Sequence, residues 1–318
     1  REKYLGGKGL ATRILYDMTK PGLDPYDPEM PLIFSTGPVT GTSVPQSNRF
    51  VVTTRSPLTG AIANSTCGGD LATKLKKAGY DALIVTGKAQ KPVYLEIRED
   101  KVEIKDATHL WGKGTVDTQA ALPKDCGLGV IGPAGENKVR FAAIVSGHRV
   151  AGRTGVGAVM GSKNLKAVAA TGSRKFEIME EAQLREFHKL MVKFLKDHPM
   201  TGGILPRLGT ANLVQVTAGR NIIPTFNFQR GHHEDTVNLA GEEMEARHLE
   251  KQSGCMACPI RCGREVKHGG KVIKGPEFET IGLVGNNLGI FNYPDVFTLS
   301  AMCDDLGMDS ISAGGCLG

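Results

Sequence analysis

The chain has 318 residues, 40% hydrophobic and 23% charged, with a formal net charge of +6; this is long enough for two domains and a sizeable core. Its lysines and arginines are scattered rather than gathered in a tail or an aromatic-interleaved stripe, so no nucleic-acid partner is expected. No run approaches the roughly 18 apolar residues of a membrane span, and "REKYLGGKGL" lacks the apolar centre of a secretory signal, so neither a membrane partner nor secretion is expected.

In chain order, "LIFSTGPVTG", "FVVTTRSPLTG", "DALIVTGKA", "PVYLEIRED", "KVEIKDA", "GLGVIGPAG" and "LKAVAATGS" are short β-branched runs closed by Gly, Pro, Asn or Asp, the pattern of strands. Among them "DLATKLKKAGYD" fits a short helix ending at Gly79. The succession predicts a mixed sheet with few helices, not a regular βαβ alternation. Near Lys175 the pattern changes. Leu184, Phe187, Met191, Phe194 and Leu195 recur at helical spacing until Pro199, a stripe expected to face the core, with His188 and His198 at the surface. Beyond it the chain reads as helices joined by long loops, with "EEMEARHLEKQSG" leading into a cysteine cluster and "PDVFTLSAMCDDLGM" forming a later helix. The expected fold class is α+β: a β-rich, mixed-sheet N-terminal domain over 1–173, then a mainly α-helical domain over 174–318. The chain begins without Met and stops within "ISAGGCLG", so it reads as part of a longer protein.

Seven cysteines at uneven spacing argue against a disulfide framework and for a reducing, cytoplasmic compartment. Cys67, Cys126, Cys303 and Cys316 stand alone and are expected as small buried side chains. The other three form "CMACPIRC", a C-x2-C-x3-C array of Cys255, Cys258 and Cys262 expected on a loop after a helix. Three thiols so close can take one corner of a metal site. Structural zinc usually uses paired C-x2-C knuckles, and no second knuckle is present. A [4Fe–4S] cluster needs four cysteines, three of which are commonly clustered and one remote. The spacing leaves both open.

"GHRVAGRTGVGAVMGSKNLKA" carries Gly152, Gly155, Gly157 and Gly161, where the backbone can approach a ligand closely, and two guanidinium groups at Arg149 and Arg153. Such a loop suits a phosphate-bearing cofactor, although a glycine-rich turn with surface arginines has the same composition. In "GPEFET", Glu277 and Glu279 flank Phe278 and would share a face of an extended segment, either as a proton acceptor near a cofactor or as a solvated turn. Asp304, Asp305 and Asp309 of "CDDLGMDSIS" read first as a helix end.

The segments "YLGGKGLATRILYDM", "STGPVTGTSVPQSNRF", "RSPLTGAI", "GGDLATKLKKAGYDALIVTGKA", "GPAGEN", "GHRVAGRTGVGAVMGSKNLKA", "CMACPIRCGR" and "CDDLGMDSIS" together resemble, in order, the aldehyde:ferredoxin oxidoreductase family over essentially the whole chain. The resemblance implies a tungsten, or molybdenum, ion held by two pterins, with a [4Fe–4S] cluster close by. It places cluster ligands at Cys255, Cys258 and Cys262, the fourth lying in a later motif that this chain lacks. It also places cofactor contacts at Arg49, between cluster and pterin, and at Gly68, Arg149, Val150, Gly152, Arg153, Asp304, Met308 and Asp309. Glu279 falls on the family's proton acceptor near the metal. Two departures stand out. Thr66 occupies the position of an Asn that helps hold a magnesium bridging the pterin phosphates, and Thr298 and Ala301 replace an E-x-x-H pair that binds iron at a dimer interface, which leaves a homodimer without that iron. The implied activity is oxidation of a small aldehyde to a carboxylic acid, with electrons passed to ferredoxin or a ferredoxin-like subunit. The alternatives are a tungsten-dependent aromatic acyl-CoA reductase and a non-catalytic Fe–S or zinc scaffold.

Overall fold

The computed structural model describes residues 3–318. It divides into two compact units: one runs through Met179 and includes Asp304–Asp309, and the other comprises Glu180–Cys303 and Ser310–Gly318. The fold is α+β, with mixed sheets in the first part and helices predominating in the second.

In the first unit the strands are β1 (Leu32–Thr36), β2 (Phe50–Arg55), β3 (Ile62–Cys67), β4 (Ala82–Val85), β5 (Val93–Arg98), β6 (Lys101–Asp106), β7 (Gly127–Val130), β8 (Ile144–Ser146), β9 (Arg149–Ala151) and β10 (Leu165–Thr171). They form an antiparallel sheet ordered β3-β2-β1-β4 and a six-stranded sheet ordered β6-β5-β10-β7-β8-β9, in which β5 and β10 run parallel. The helices are α1 (Gly7–Met18), α2 (Leu71–Lys77), α3 (Thr115–Ala121), α4 (Pro133–Glu136) and α5 (Val156–Ser162). Phe34 and Phe50 of one sheet, Val168 and Ala170 of the other, Leu71 and Leu75 of α2 and Val159 and Met160 of α5 share one buried core. Each large apolar side chain so buried contributes about 1.5–3 kcal/mol.

Two features draw the second sheet and its helices together. Gly157 in α5 lies against the Ala142–Ala143 backbone, where an added Cβ would stand 2.7 Å from the Ala143 carbonyl carbon. Lys166, fully buried, pairs with the Glu136 carboxylate and donates to the Lys113 carbonyl at 2.7 Å, while Glu136 also accepts from the Gly112 amide at 2.8 Å. Burying these charges is tolerable because both are paired and hydrogen-bonded.

The second unit holds α6 (Glu181–Asp197), α7 (Leu205–Leu208), α8 (Leu213–Ala218), α9 (Gly241–Arg247), α10 (Phe278–Thr280), most of α11 (Tyr293–Leu306) and α12 (Ser310–Leu317). Its core joins Val214, Ile223, Leu239, Met244, Val266, Ile281, Tyr293 and Phe297. Among the described residues no helix is long and apolar enough to cross a membrane.

Several expectations need correction. Between α9 and α10 the chain forms an antiparallel sheet, β11 (Leu249–Ser253), β12 (Gly263–His268) and β13 (Lys271–Lys274), where loops were expected. These strands are rich in Lys and Glu, and their pattern shows no apolar run long enough to announce a strand. The stripe on α6 does not face the core: Phe187 and Phe194 are 47% and 63% exposed, Leu184 and Met191 are half-buried, and only Leu195 is buried. Periodicity identifies an apolar face but not what covers it. Cys67 and Cys303 are buried as expected, whereas Cys126 is half-buried in the turn before β7 and Cys316 is exposed near the end of α12.

Candidate functional site

The first unit gathers most of the expected cofactor contacts at one end of its strands. Pairing of Phe50 with Cys67 in the β2–β3 ladder puts Arg49 and Gly68 side by side just beyond it. Asn48 fixes the approach to Arg49: its Oδ1 accepts from the Gly41 amide at 2.6 Å, and its Nδ2 donates to the Thr42 carbonyl at 3.2 Å. Arg49 itself is exposed, as is Thr66 on β3, while Gly68 is buried. At Gly69 the backbone is left-handed (φ +92°), and a Cβ there would stand 2.5 Å from Ser146 Oγ. Glycine is required on both counts.

Ser146 leads to the second group. It pairs with Arg149 across the β8–β9 hairpin, as Val145 does with Val150. The hairpin tip is pinned by Gln119, whose Oε1 accepts from the Gly147 amide at 2.7 Å. β3 packs alongside β9, so Gly68 and Gly69 lie next to the Arg149–Ala151 strand. Among the described residues Ser146 Oγ is buried without a hydrogen-bond partner, a state that leaves the hydroxyl open to a non-protein partner.

The third group closes the set. After Gly152 the chain passes Arg153, then turns through two left-handed residues, Thr154 (φ +74°) and Gly155 (φ +78°), into α5. Arg153 Nε lies 3.2 Å from Asp309 Oδ2. The segment carrying Asp309 is strapped to the sheet by backbone: the Asp309 amide donates to the Phe141 carbonyl at 3.1 Å, Met308 bridges Ala142, and the Ala143 amide donates to the Gly307 carbonyl at 2.8 Å. At its other end, Thr115 Oγ1 donates to the Asp304 carbonyl at 2.9 Å. Exposed guanidinium groups, a buried orphan hydroxyl and a glycine cradle make a donor set that fits a phosphate-bearing cofactor.

In the second unit, Cys255, Cys258 and Cys262 lie on the connection between β11 and β12, not directly after a helix as expected. Pairing of Ser253 with Gly263 closes the base of the loop. Inside it the Cys258 amide donates to the Cys255 carbonyl at 3.1 Å, and Ala257 and Arg261 are left-handed (φ +57° and +49°). All three thiols are half-buried and none is in a disulfide. Among the described residues no three His, Cys, Asp or Glu side chains converge on a single ion position. Three cysteines on one short loop have the composition of an iron–sulfur ligand set.

Glu277 and Glu279 are sorted by their surroundings. Thr210 Oγ1 donates to Glu277 Oε2 at 2.6 Å and accepts from the Phe278 amide at 2.9 Å, so Glu277 is fixed at the start of α10. Glu279 is exposed, and among the described residues its carboxylate makes no hydrogen bond or ion pair. A π-helical turn, Ile281–Gly285, follows at once; such turns are frequent beside functional sites. Sequence reading passed over Ser146, Gly69 as a left-handed glycine, and Arg264, a 5% exposed arginine two positions after Cys262. The "GG" pair could have signalled the second; nothing in the pattern marks the other two.

Residues 1–172 match the profile of the aldehyde ferredoxin oxidoreductase N-terminal domain, and residues 186–318 that of domains 2 and 3 of the same enzyme. The chain is 45% identical over 324 residues to the tungsten-containing aldehyde ferredoxin oxidoreductase of Pyrococcus furiosus, and 45% over 323 residues to that of Thermococcus kodakarensis, covering 99% of this chain and 53% of each relative. It thus spans about half the length of the curated relatives it matches. Among solved structures, the active-site complex BamBC of benzoyl coenzyme A reductase with 1,5-dienoyl-CoA is similar at TM-score 0.83 and 32% identity, over 98% of this chain and 50% of that one.

Proposed function

This chain belongs to the aldehyde ferredoxin oxidoreductase family, and we propose that it forms the cofactor-holding part of a tungsten–pterin enzyme that oxidises an aldehyde to a carboxylic acid. The observation that carries the reading is the convergence of Arg49, Gly68, Arg149 and the Arg153–Asp309 pair in one unit. Cations and amides brought together in this way bind anionic oxygens.

On this reading Arg49, Gly68, Arg149, Val150, Gly152 and Arg153 receive the phosphate side of the pterins, and Asp304, Met308 and Asp309, at the end of α11 and in the turn before α12, hold them as well. Thr66 stands where a bridging magnesium would be held. When bound, a tungsten–pterin group would supply a two-electron acceptor, and Cys255, Cys258, Cys262 and a fourth thiol would hold a [4Fe–4S] cluster, whose chemistry is one-electron transfer. An aldehyde and water yield a carboxylic acid, two protons and two electrons. Glu279 is the acceptor of a proton released in that conversion, and the lack of a hydrogen bond or ion pair to it among the described residues keeps the carboxylate available. Glu277, held by Thr210, positions the turn that presents it. The electrons leave to ferredoxin or a ferredoxin-like subunit in a reducing, cytoplasmic compartment.

The test is to produce the full-length protein with tungstate, measure tungsten, pterin and iron, and assay aldehyde-dependent reduction of a viologen dye and of ferredoxin. Protein that carries neither tungsten nor pterin would end this reading. The similarity to the benzoyl coenzyme A reductase complex supports a second reading, reduction of an aromatic acyl-CoA with the same cofactors; activity on a benzoyl thioester with none on aldehydes selects it.

A further inference from the structure

Arg264, the first residue after Gly263 in β12, is 5% exposed and lies beside the cysteine loop. Its Nη1 donates to the carbonyls of Pro206 at 2.8 Å and Arg207 at 3.1 Å, and its Nη2 to those of Leu205 and Arg261, both at 2.9 Å. Three of these carbonyls belong to α7, whose last turn leaves its C=O groups without intrahelical partners. The fourth belongs to the cysteine loop. One side chain therefore ties that loop to the end of a helix.

Helix capping accounts for three of the four hydrogen bonds but not for the rest of the environment. Among the described residues, buried Nε has no hydrogen-bond partner. Gly209, left-handed at φ +62°, leaves room where a Cβ would stand 2.8 Å from the Cys262 carbonyl oxygen and 3.0 Å from Arg264 Nε. The backbone is thus kept bare where the Cys262 carbonyl and the guanidinium both approach Gly209. Every hydrogen bond of the guanidinium goes to an uncharged carbonyl, so its charge is not quenched at contact. Arginine keeps its proton even when buried, which makes the charge permanent.

We infer that Arg264 is a positioning residue for the iron–sulfur cluster: it fixes the Cys262 end of the loop and holds a permanent buried positive charge that favours the reduced, more negative cluster. The inference rests on the reading that Cys255, Cys258 and Cys262 carry such a cluster. One-electron reduction adds a negative charge with no proton, so a fixed cation in a poorly solvated site raises the cluster's affinity for the electron.

The experiment compares the full-length, metal-loaded protein with Arg264→Gln, which removes the charge but keeps hydrogen-bonding atoms, and Arg264→Lys, which keeps the charge without the fork. The readouts are iron content and the midpoint potential of the cluster by titration followed with electron paramagnetic resonance. The Gln variant is expected to lose about tenfold in electron affinity, a fall of about 59 mV for one electron, while the Lys variant stays near wild type. A Gln variant with full iron and an unchanged potential overturns the inference, and so does a Lys variant shifted as far as Gln. If the Gln variant loses its iron, the Lys variant decides: retained iron at wild-type potential supports the inference, and lost iron or a shifted potential overturns it. A wild-type protein with no cluster signal would instead overturn the cluster reading itself.

Discussion

Arg153 Nε stands 3.2 Å from Asp309 Oδ2, with the carboxylate side chain 4% exposed and the guanidinium 57% exposed. A buried acid is thus paired with a cation that is itself largely exposed. The pair joins a glycine-rich loop to the aspartate segment far along the chain.

Asp309→Asn keeps the shape of the side chain and removes its charge. Charge-assisted hydrogen bonds contribute about 1.5–3 kcal/mol, so cofactor retention in the full-length protein is expected to weaken roughly 10- to 100-fold. Tungsten content after extensive dialysis measures this. Unchanged content in the variant would remove Asp309 from the cofactor site.

Replacing Cys255, Cys258 or Cys262 by Ser is expected to lower iron severalfold in each case, because one iron of the cluster then lacks a thiolate. Cys126→Ser and Cys316→Ser, outside the β11–β12 loop, should leave iron unchanged. Equal iron across all five variants would contradict the cluster assignment.

Glu279→Gln is expected to reduce kcat by about 100- to 10,000-fold with tungsten and iron intact, the range of a lost general base. Glu277→Gln should act on folding instead: Thr210 then donates to a neutral amide oxygen, at a cost of about 1 kcal/mol. Thermal denaturation and kcat, measured on both variants, should separate the two glutamates. The same kcat loss in both would cancel the distinction.

Lys163 supplies a pH dependence. It is 3% exposed, its Nζ donates to the carbonyls of Pro28 at 3.0 Å and Gly87 at 3.3 Å, and burial pulls its pKa down to about 8. Two carbonyls match the two hydrogens of a neutral amine. Above pH 8 the folded chain releases this proton while the unfolded chain keeps it to about pH 10.4, so stability rises with pH across that window, by no more than about 3 kcal/mol. Denaturant midpoints measured from pH 7.5 to 10.5 should show the rise, and Lys163→Met should flatten it.

Gly157→Ala is expected to cost about 1–3 kcal/mol, because the new methyl meets the Ala142–Ala143 backbone. Since Ala142 bridges Met308, cofactor retention should fall together with the melting temperature. A variant as stable as wild type would mean that this backbone gives way freely.

Strands with β-branched runs, such as β1, β2, β5 and β10, could be read directly from sequence, as could the helix ending before Gly79. Strand β3 could not: Asn64, Ser65 and Thr66 give it a polar composition, and only its pairing with β2 holds it extended. The sheet β11–β13 is hidden in the same way behind lysines and glutamates. Of the site, spacing alone marked the cysteines, the glycine loop and its arginines. That Arg153 meets Asp309 depends on a backbone return past Phe141 and Ala142, a long-range contact with no local signature. Arg264 was illegible because burial, which gives its charge its weight, belongs to the folded chain.

The hairpin base at Ser253 and Gly263 sets the span of the cysteine loop. Backbone pairing joins the two ends of that loop, so the chain entropy of closing it is met by the same hydrogen bonds that build the β11–β12 ladder. The spacing of Cys255, Cys258 and Cys262 is thereby tied to the register of a sheet, and a one-residue slip in that register would alter the loop that carries all three.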